Sequence, residues 1–427
     1  MKKKIIIITA LFIGLAVFVS ACKLFLKKPE LEVELTIELS ADYIITSLAK
    51  DKNHPLLANT IALANEYKSN QSESYIKLFG KAFEKANPDK SLAELLRIAG
   101  LTENASNQEI IEALQEELNY RVEETIGILE KRIDRFGLRN QNIQQISNTE
   151  RILIELPKID NIERVKELIQ TRALLGFWET YDNQEIFQYI EEVNEQLKVL
   201  LTNGEIYLNG EPFQPASYVM DTTSLVEAEW SQKFPLFSVL TPRVNQQGQL
   251  VPGPCIGNAF KKDTSTVASL FRLPQIKKLL PDNLKLAWTA KPAPWDATNR
   301  IHELIALRVN NKTCTPPLDG TYITKALTET DSQGEAYITI TKNAEGAKKW
   351  QRLTANNIGR SIAITLDNRV YSYPQVNAEI TGGRSSISGD FNIQEAEDLA
   401  NILEAKPLPA PVSIINISNK NNSLEQN

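Results

Sequence analysis

Few residues of this chain have the types and spacing that catalysis or metal binding requires. Its 427 residues include two histidines, His54 and His302, and three cysteines, Cys22, Cys255 and Cys314. The histidines lie far apart in sequence, and no Cys/His cluster has the spacing of a zinc site. The sequence shows no glycine-rich phosphate loop, no G-x-S-x-G motif and no general acid–base pair. We therefore predict no enzymatic activity, no metal site and no cofactor.

Cys22 is the one cysteine whose neighbours suggest a chemical modification. The first residues, MKKKIIIITALFIGLAVFVSAC, are three lysines near the start and an apolar run, and Val19-Ser20-Ala21-Cys22 has the form of a lipobox, with cleavage before an acylated cysteine. Two alternatives stay open: one membrane-spanning helix that continues to Leu26, or a cleaved signal without lipid. Each places the chain beyond residues 1–30 outside the cytoplasm, with the lysines inside.

The rest of the composition indicates a globular protein outside the membrane. Apolar residues make up 42% of the chain and charged residues 23%, and the net charge of −6 is spread out without a basic stripe. Nucleic-acid binding is therefore disfavoured. No second stretch approaches 18 apolar residues, so we predict a single membrane segment at most. Cys255 and Cys314 form either a disulfide or two separate thiols, since a sequence fixes no Cα separation.

The first part of the chain predicts an α+β unit over residues 31–181. LEVELTIEL at 31–39 alternates apolar and polar residues, which indicates a strand with one wet face. A helical insertion follows at about 41–115. A helix is then predicted that ends at Gly137, with an apolar face formed by Val122, Ile126, Leu129, Ile133 and Phe136.

The remainder of this unit completes a split βαβ pattern. NIQQIS and RILIELP read as two strands joined by a short turn, a helix begins near Asp160 with Glu163 as capping-box partner, and ALLGFWET at 173–180 is the last strand. The order β, helical crossover, β, β, α, β predicts a ferredoxin-like layer with helices on one face of an antiparallel sheet.

A similar unit is predicted at 319–412, after a different middle lobe at 182–318. It has two strands, a helix from Asn343 to Gly359, a hairpin that turns at Asp367-Asn368, a short strand and a last helix. That helix is capped by Asn392 with Glu395, and its expected inward residues are Ile393, Ala396, Leu399, Ala400 and Leu403. In KPLPAPVSII, Pro407, Pro409 and Pro411 stop the last helix and extend the chain, and we expect a disordered tail at 413–427.

Two long segments resemble the signatures of the SecD family of protein-export accessory subunits. They are RIDRFGLRNQNIQQISNTERILIELP and GRSIAITLDNRVYSYPQVNAEITGGRSSISGDFNIQEAEDLANIL. FWETYDN, PLFSVL and NAEGAKKWQRLTANNIGR between them look like the fused SecDF proteins of Bacteroidetes-type bacteria. The resemblance covers roughly 31–412 and implies a base of two ferredoxin-like halves that carries a mobile head, here the lobe at 182–318.

The resemblance marks a set of motif residues for which we expect mainly structural roles. Gly137 and Gly359 end helices, and Gly382 and Gly383 permit backbone turns with positive φ. Arg132 and Asp134 are expected to pair locally or with a sheet edge. The full set is Arg132, Asp134, Arg135, Phe136, Gly137, Gly359, Arg360, Asp367, Pro374, Gly382, Gly383 and Gly389.

The chain departs from the family pattern at both ends. Lys27-Lys28-Pro29-Glu30 leads straight into the first strand, where the family usually has a glycine-rich G-L-D-L-x-G-G stretch. Five further membrane helices with an acidic residue for proton coupling usually follow the family's LPAP exit, and this sequence ends at Asn427. We therefore expect a separate polytopic partner of SecD/SecF type to supply proton coupling.

The leading hypothesis is an extracytoplasmic Sec-export subunit at the periplasmic face of the inner membrane. It would bind unfolded preprotein segments as they emerge from the SecYEG channel, and its N-terminus would attach it to the membrane. The alternative is a free-standing envelope lipoprotein, a chaperone or scaffold that reuses the fold, with the outer membrane as another location.

Overall fold

A computed structural model describes residues 33–68, 73–208, 210–215, 224–310 and 314–419. The predicted N-terminal segment, including Cys22, lies outside these residues. Among the described residues, no helix is long and apolar enough to cross a membrane, and no cluster of His, Cys, Asp and Glu side chains is suited to a metal ion. The chain divides into two compact units, one formed by Met1–Gln170 with Pro409–Asn427 and the other by Thr171–Leu408.

The first unit is mostly helical. In chain order its elements are β1 (Val33–Leu39), α1 (Ala41–Ser47), α2 (Pro55–Lys68), α3 (Tyr75–Ala86), α4 (Leu92–Leu95), α5 (Asn107–Arg135), β2 (Asn142–Gln145), β3 (Arg151–Leu156) and α6 (Ile162–Gln170).

The second unit contains most of the strands. Its elements are β4 (Leu175–Thr180), α7 (Asn183–Thr202), β5 (Tyr207–Leu208), β6 (Glu211–Pro212), α8 (Ser224–Lys233), β7 (Thr241–Pro242), β8 (Cys255–Phe260), α9 (Thr264–Arg272), α10 (Pro274–Lys277), β9 (Leu284–Trp288), β10 (Ile301–Arg308), β11 (Leu318–Asp319), β12 (Ile323–Thr330), β13 (Ala336–Lys342), α11 (Ala344–Asn356), β14 (Ile362–Leu366), β15 (Arg369–Ser372), β16 (Arg384–Phe391) and α12 (Ile393–Glu404). The chain then returns to the first unit with β17 (Val412–Asn419).

The sheet of the first unit has the order β17-β1-β3-β2, and all neighbours are antiparallel. Two expectations are wrong here. The segment at 173–180, expected as the last strand of the 31–181 unit, lies in another sheet as β4, and the predicted disordered tail at 413–427 is a strand up to Asn419 that pairs with β1. Val412, Ile414 and Ile417 give this segment the β-branched character of a strand. Pairing with β1 also satisfies backbone groups that an open edge would leave free.

The long helix α5 begins earlier than its apolar pattern predicts. Ser106 and Glu109 form a capping box at its start, so the helix crosses the predicted end of the insertion at about residue 115. Its predicted end is confirmed, because Gly137 has a φ of 90° just after the last turn. At α6, the Asn161 side chain accepts a hydrogen bond from the Arg164 backbone N–H, in place of the predicted Asp160–Glu163 box.

An eight-stranded sheet forms the centre of the second unit. Its main path is β15-β14-β4-β10-β8-β7, with β11 paired to β4 and β9 paired to β10. The sheet therefore joins strands from the predicted head lobe (182–318) to strands from the predicted second base half (319–412). Since β4 pairs with both β14 and β10, the predicted boundaries do not separate two sheets.

A three-stranded sheet, β12-β13-β16, completes the second unit. The predicted hairpin between β14 and β15 is confirmed, and its turn residues Asp367 and Asn368 have φ values of 49° and 65°. Helix α11 ends at Asn356, three residues before the predicted Gly359. The Asn392–Glu395 cap of α12 is confirmed, but Ile393 is 55% exposed because it lies in the first turn, outside the buried stripe.

Candidate functional site

An open apolar groove of about 470 Å³ lies in the second unit. Its apolar lining includes Phe271, Leu280, Leu284, Leu286, Trp288 and Leu304. Phe271 and Leu304 belong to the buried core, while the other four are half-buried and pack against that core. The groove is therefore an apolar surface that continues outward from the hydrophobic core, a type of site that suits apolar ligands.

Two amphipathic elements form the walls of the groove. On helix α9, Val267 and Phe271 are one helical turn apart and both face the core. On strand β9, Leu284, Leu286 and Trp288 alternate with Lys285 and Ala287, so the three large residues share one face of the strand. The local periods of 3.6 and 2 residues thus place five apolar side chains around one space.

Strand β9 is an edge strand, with β10 as its one ladder partner among the described residues. It pairs with β10 along its whole length, from Leu284 opposite Arg308 to Trp288 opposite Leu304. On its other side β15 lies close to β9. Just beyond the end of β9, a parallel bridge joins Thr289 to Val370, and the Ala290 N–H donates to the Val370 carbonyl. An edge of this kind can accept an added strand from another polypeptide.

The charged residues that line the groove are all basic. They are Arg272 at the end of α9, Lys277 at the end of α10, and Arg369 at the start of β15. All three are exposed, and none of them takes part in an ion pair or a hydrogen bond with other described residues. Lys285 lies nearby and donates to the Asn368 side chain at 3.0 Å, and partial burial lowers the pKa of its ammonium group.

The motif residues that the sequence analysis singled out lie elsewhere, in both units. Arg132 is fully buried, and its Nη1 donates to the Leu168 carbonyl of α6 at 3.1 Å, near the C-terminal end of that helix. The Asp134 carboxylate accepts a hydrogen bond from Gln141 at 2.6 Å. The Arg164 guanidinium carbon lies 4.2 Å from the centre of the Phe136 ring. Arg135 is exposed. These contacts connect α5 to the elements that follow it.

In the second unit, Asp367 has the largest set of contacts among the motif residues. Its carboxylate accepts hydrogen bonds from the backbone N–H groups of Arg172, Ala173 and Leu174, at 2.8 to 3.3 Å. Ala173 has a φ of 67°, so this loop holds a backbone conformation that the carboxylate stabilises. The contacts fix the β14–β15 turn against the segment that enters β4.

The glycines and the remaining motif residues have local roles in the backbone. Gly382 and Gly383 have φ values of 88° and 73°, as predicted, and a Cβ on Gly383 would approach the Ala347 Cβ to 2.8 Å. A Cβ on Gly389 would lie 2.9 Å from the Phe391 ring. The Gly359 N–H donates to the Val376 carbonyl, and the Pro374 carbonyl accepts from Ile362.

A second, polar pocket of about 340 Å³ lies beside Arg360. Arg360 forms a two-pronged ion pair with Glu185, at 2.8 and 3.2 Å, and this contact holds the pKa of the Glu185 carboxyl below its usual range. Tyr373 lines the same pocket and donates to the buried Glu303 carboxylate at 2.6 Å. Arg243 also lines this pocket, and its guanidinium carbon lies 5.7 Å from the Trp295 ring centre.

Cys255 and Cys314 are free thiols. Burial, with a smaller effect of Glu303, raises the pKa of Cys255 to about 12, so this thiol is unreactive. His302 is also buried, and burial lowers the pKa of its ring, whose Nδ1 lies 3.0 Å from the Thr289 carbonyl oxygen. Neither cysteine and neither histidine joins a reactive cluster among the described residues.

No sequence motif points to the groove. The sequence pattern that corresponds to the groove is the alternation of LKLAW at 284–288, which follows the Leu279-Leu280 pair within the lobe predicted as a head. Such a pattern also fits an ordinary half-buried strand. Only the packing of α9 and of the β14–β15 turn beside this strand forms the groove.

Two family models match the chain. The model described as SecDF, P1 head subdomain, matches residues 304–410, and the model described as protein translocase subunit SecDF, P1 domain, N-terminal, matches 122–182. The head model therefore covers residues that we assigned to the second half of the base, at 319–412. Its match begins inside the lobe that we assigned to the head, at 182–318.

Two relatives are named as subunits of the same family. The protein translocase subunit SecD of Rhodothermus marinus is 34% identical over 396 residues, which are 90% of this chain and 60% of the relative. The SecD of Syntrophobacter fumaroxidans is 40% identical over 121 residues, 28% of this chain and 22% of that protein. This chain therefore spans less than two thirds of the length of the Rhodothermus marinus protein.

Among solved structures, SecDF in a super-membrane-facing form is 22% identical, with a TM-score of 0.38 over 70% of this chain and 28% of that one. A second, described as a membrane component SecDF that enhances protein export, is 21% identical, with a TM-score of 0.36 over 70% of this chain and 92% of that one.

Proposed function

The chain carries an extracytoplasmic domain of the SecD family, and on this premise we propose that it acts in Sec-dependent protein export by binding unfolded segments of exported proteins. The apolar groove between α9 and β9 is the proposed binding site. The relatives are named as translocase subunits, and we propose a binding role without catalysis for this chain as well.

The observation that carries this proposal is the combination of an apolar groove with an edge strand. Unfolded polypeptides differ from folded ones in their exposed apolar side chains and unpaired backbone groups. Half-buried leucines and Trp288 in the groove can contact the exposed apolar side chains of such a polypeptide. The edge of β9 can form hydrogen bonds with its unpaired backbone groups. Since backbone pairing is independent of sequence, this arrangement suits a receptor for many different clients.

The architecture of the first unit supports the proposed fold of the base. The order β17-β1-β3-β2, with α5 and α6 in the connections, is the strand order of a ferredoxin-like layer. We propose that this unit is one such layer whose last strand follows the second unit in sequence. For the motif residues from Arg132 to Gly389, we propose mainly structural roles, in line with their local contacts.

We also propose the partners and the location of this domain. The SecYEG channel would deliver the unfolded segments, and a polytopic SecD/SecF-type protein would supply proton coupling. The domain would lie at the periplasmic face of the inner membrane, held there by its N-terminus. The family assignment supports these proposals.

Site-specific photo-crosslinking in cells tests the binding role. A photoreactive amino acid at Leu280, in the groove, is expected to capture exported precursors, and one at Val199 serves as the control. Val199 is 52% exposed and lies on α7 of the same unit, outside the groove lining. Affinity capture of the same membranes should recover SecYEG. The proposal is wrong if Leu280 captures no more precursor than Val199 does.

The Val19-Ser20-Ala21-Cys22 sequence favours the second candidate, a free-standing envelope lipoprotein with a chaperone or scaffold role. Labelling with a fatty-acid analogue is expected to mark the wild type and not a Cys22→Ala variant if this cysteine is acylated. Fractionation then decides between the candidates, because an outer-membrane protein cannot act beside the translocon of the inner membrane.

A further inference from the structure

We infer that the groove selects apolar segments that carry acidic residues and disfavours those that carry basic residues. This inference rests on the proposed binding function and adds a preference among clients. It follows from the basic residues that line the groove and from the lack of carboxylates in its described lining.

Three separate elements bring the basic residues together. Arg272 ends α9, Lys277 ends α10, and Arg369 follows the β14–β15 turn. They are exposed and form no ion pair with any carboxylate in the described part of the chain. Their charges are therefore available to a ligand in the groove.

Among the residues that the structure describes, no acidic residue lines this groove. Two acidic residues are direct sequence neighbours of lining residues, Asp367 before Asn368 and Glu303 before Leu304, and neither is part of the lining. The Asp367 carboxylate accepts the backbone N–H groups of residues 172–174, and the Glu303 carboxylate accepts the Tyr373 hydroxyl, so both are already engaged. Over the whole chain the balance is opposite, with 53 acidic and 47 basic residues. The basic lining is thus a local reversal of the overall charge and not a reflection of composition.

The apolar floor strengthens the effect of these charges on selection. A segment that fills the groove displaces water, and charge interactions are stronger where water is excluded. Carboxylates beside the apolar part of a segment would then face Arg272, Lys277 and Arg369, while ammonium groups at the same positions would be repelled. Opposite charge also accelerates encounter at low ionic strength.

Peptide binding to the purified full chain tests this preference. Three peptides would share one apolar sequence and a neutral fluorophore, with glutamates, lysines or glutamines on both sides, and fluorescence anisotropy would report binding. We expect the acidic peptide to bind about tenfold more tightly than the neutral one at low salt, and the basic peptide to bind most weakly. The difference should shrink to about twofold near 0.5 M salt, where the Debye length is only a few ångströms.

A matched pair of variants assigns the preference to the groove. The variant R272Q/K277Q/R369Q should bind all three peptides with the affinity that the wild type has for the neutral one. The variant K325Q/K348Q/R352Q removes the same charge from exposed residues of the same unit outside the groove and should keep the preference. The neutral peptide should bind equally to both.

The outcomes separate this inference from the proposed function. If the wild type binds acidic, neutral and basic peptides equally, the charge preference is wrong while the binding function stands. If the control triple loses the preference as fully as the groove triple, the effect belongs to net charge and the inference is overturned. If no peptide binds, the proposed function itself fails.

Discussion

Lys342 is a lysine at the end of β13 that is only 5% exposed. Its ammonium group donates to the Ser385 hydroxyl at 2.6 Å and lies 5.0 Å from the Phe177 ring centre and 4.6 Å from that of Trp350. Burial lowers the pKa of Lys342 to about 7. The two rings and the hydroxyl offset only part of the cost of removing the charge from water.

This burial predicts a pH-dependent stability of the second unit. The pKa of Lys342 is 10.5 in a freely solvated chain and about 7 in the folded protein, so between these values the unfolded state binds more protons. The free energy of unfolding should therefore rise with pH through this window, by up to about 1.4 kcal/mol per pH unit, relative to a Lys342→Met variant. Urea denaturation at pH 7.5, 8.5 and 9.5 measures this difference.

Tryptophan fluorescence reports on the unfolding of the second unit, because all five tryptophans lie between residues 171 and 408. The exposed Lys348 on α11 provides the control, and Lys348→Met should leave the pH dependence of the wild type unchanged. Parallel curves for the wild type and Lys342→Met would show that the buried lysine does not titrate in this window.

At the scale of elements, β17 changes the interpretation of the chain's C-terminal part. It pairs with β1 from Val412 opposite Leu39 to Asn419 opposite Val33, with one irregularity near Ile37. It is the edge strand of its sheet, and Ile415 and Ile417 remain 46% and 38% exposed. The strand thus closes one side of β1 while it leaves apolar side chains in water.

Truncation tests the contribution of this strand. Removal of all residues after Pro411 deletes β17 and should destabilise the first unit by more than about 3 kcal/mol, since several ladder hydrogen bonds are lost at about 1 kcal/mol each. Removal of residues 420–427 alone is the matched control and should leave stability unchanged. Hydrogen exchange of the β1 amides is the measurement, and equal protection in both truncated chains would contradict the prediction.

At the scale of the whole molecule, the second unit is one continuous segment, Thr171–Leu408, placed between the two parts of the first. Its ends are joined, because the Leu408 N–H donates to the Arg172 carbonyl at 2.8 Å. Adjacent termini of this kind are typical of a domain that can be excised or inserted without loss of its core.

We therefore expect a fragment of residues 171–408 to fold alone, with a cooperative urea transition followed by tryptophan fluorescence. A fragment cut at the predicted head boundaries, 182–318, should not fold, because it lacks β4 and β14 of the central sheet. A non-cooperative transition of the longer fragment, or a cooperative one of the shorter, would show that the unit boundaries lie elsewhere.

By itself, the sequence determined the local elements and the family. Alternation predicted β1, helical spacing predicted α5 and α12, and the turn at Asp367-Asn368 was predicted from its residue types. These signals depend on interactions within a few residues, so they can be seen without the fold. The two long motifs added a family assignment for the same reason, as continuous strings.

Only the tertiary structure decided which strands are neighbours and where a ligand can bind. The pairing of β17 with β1 joins opposite ends of the chain, and β4 is shared between two predicted lobes. Strand partners of this kind depend on packing between distant segments, for which residue types along the chain carry no direct signal. The groove and its basic residues arise in the same way, since α9, α10, β9 and the β14–β15 turn meet only in the folded unit.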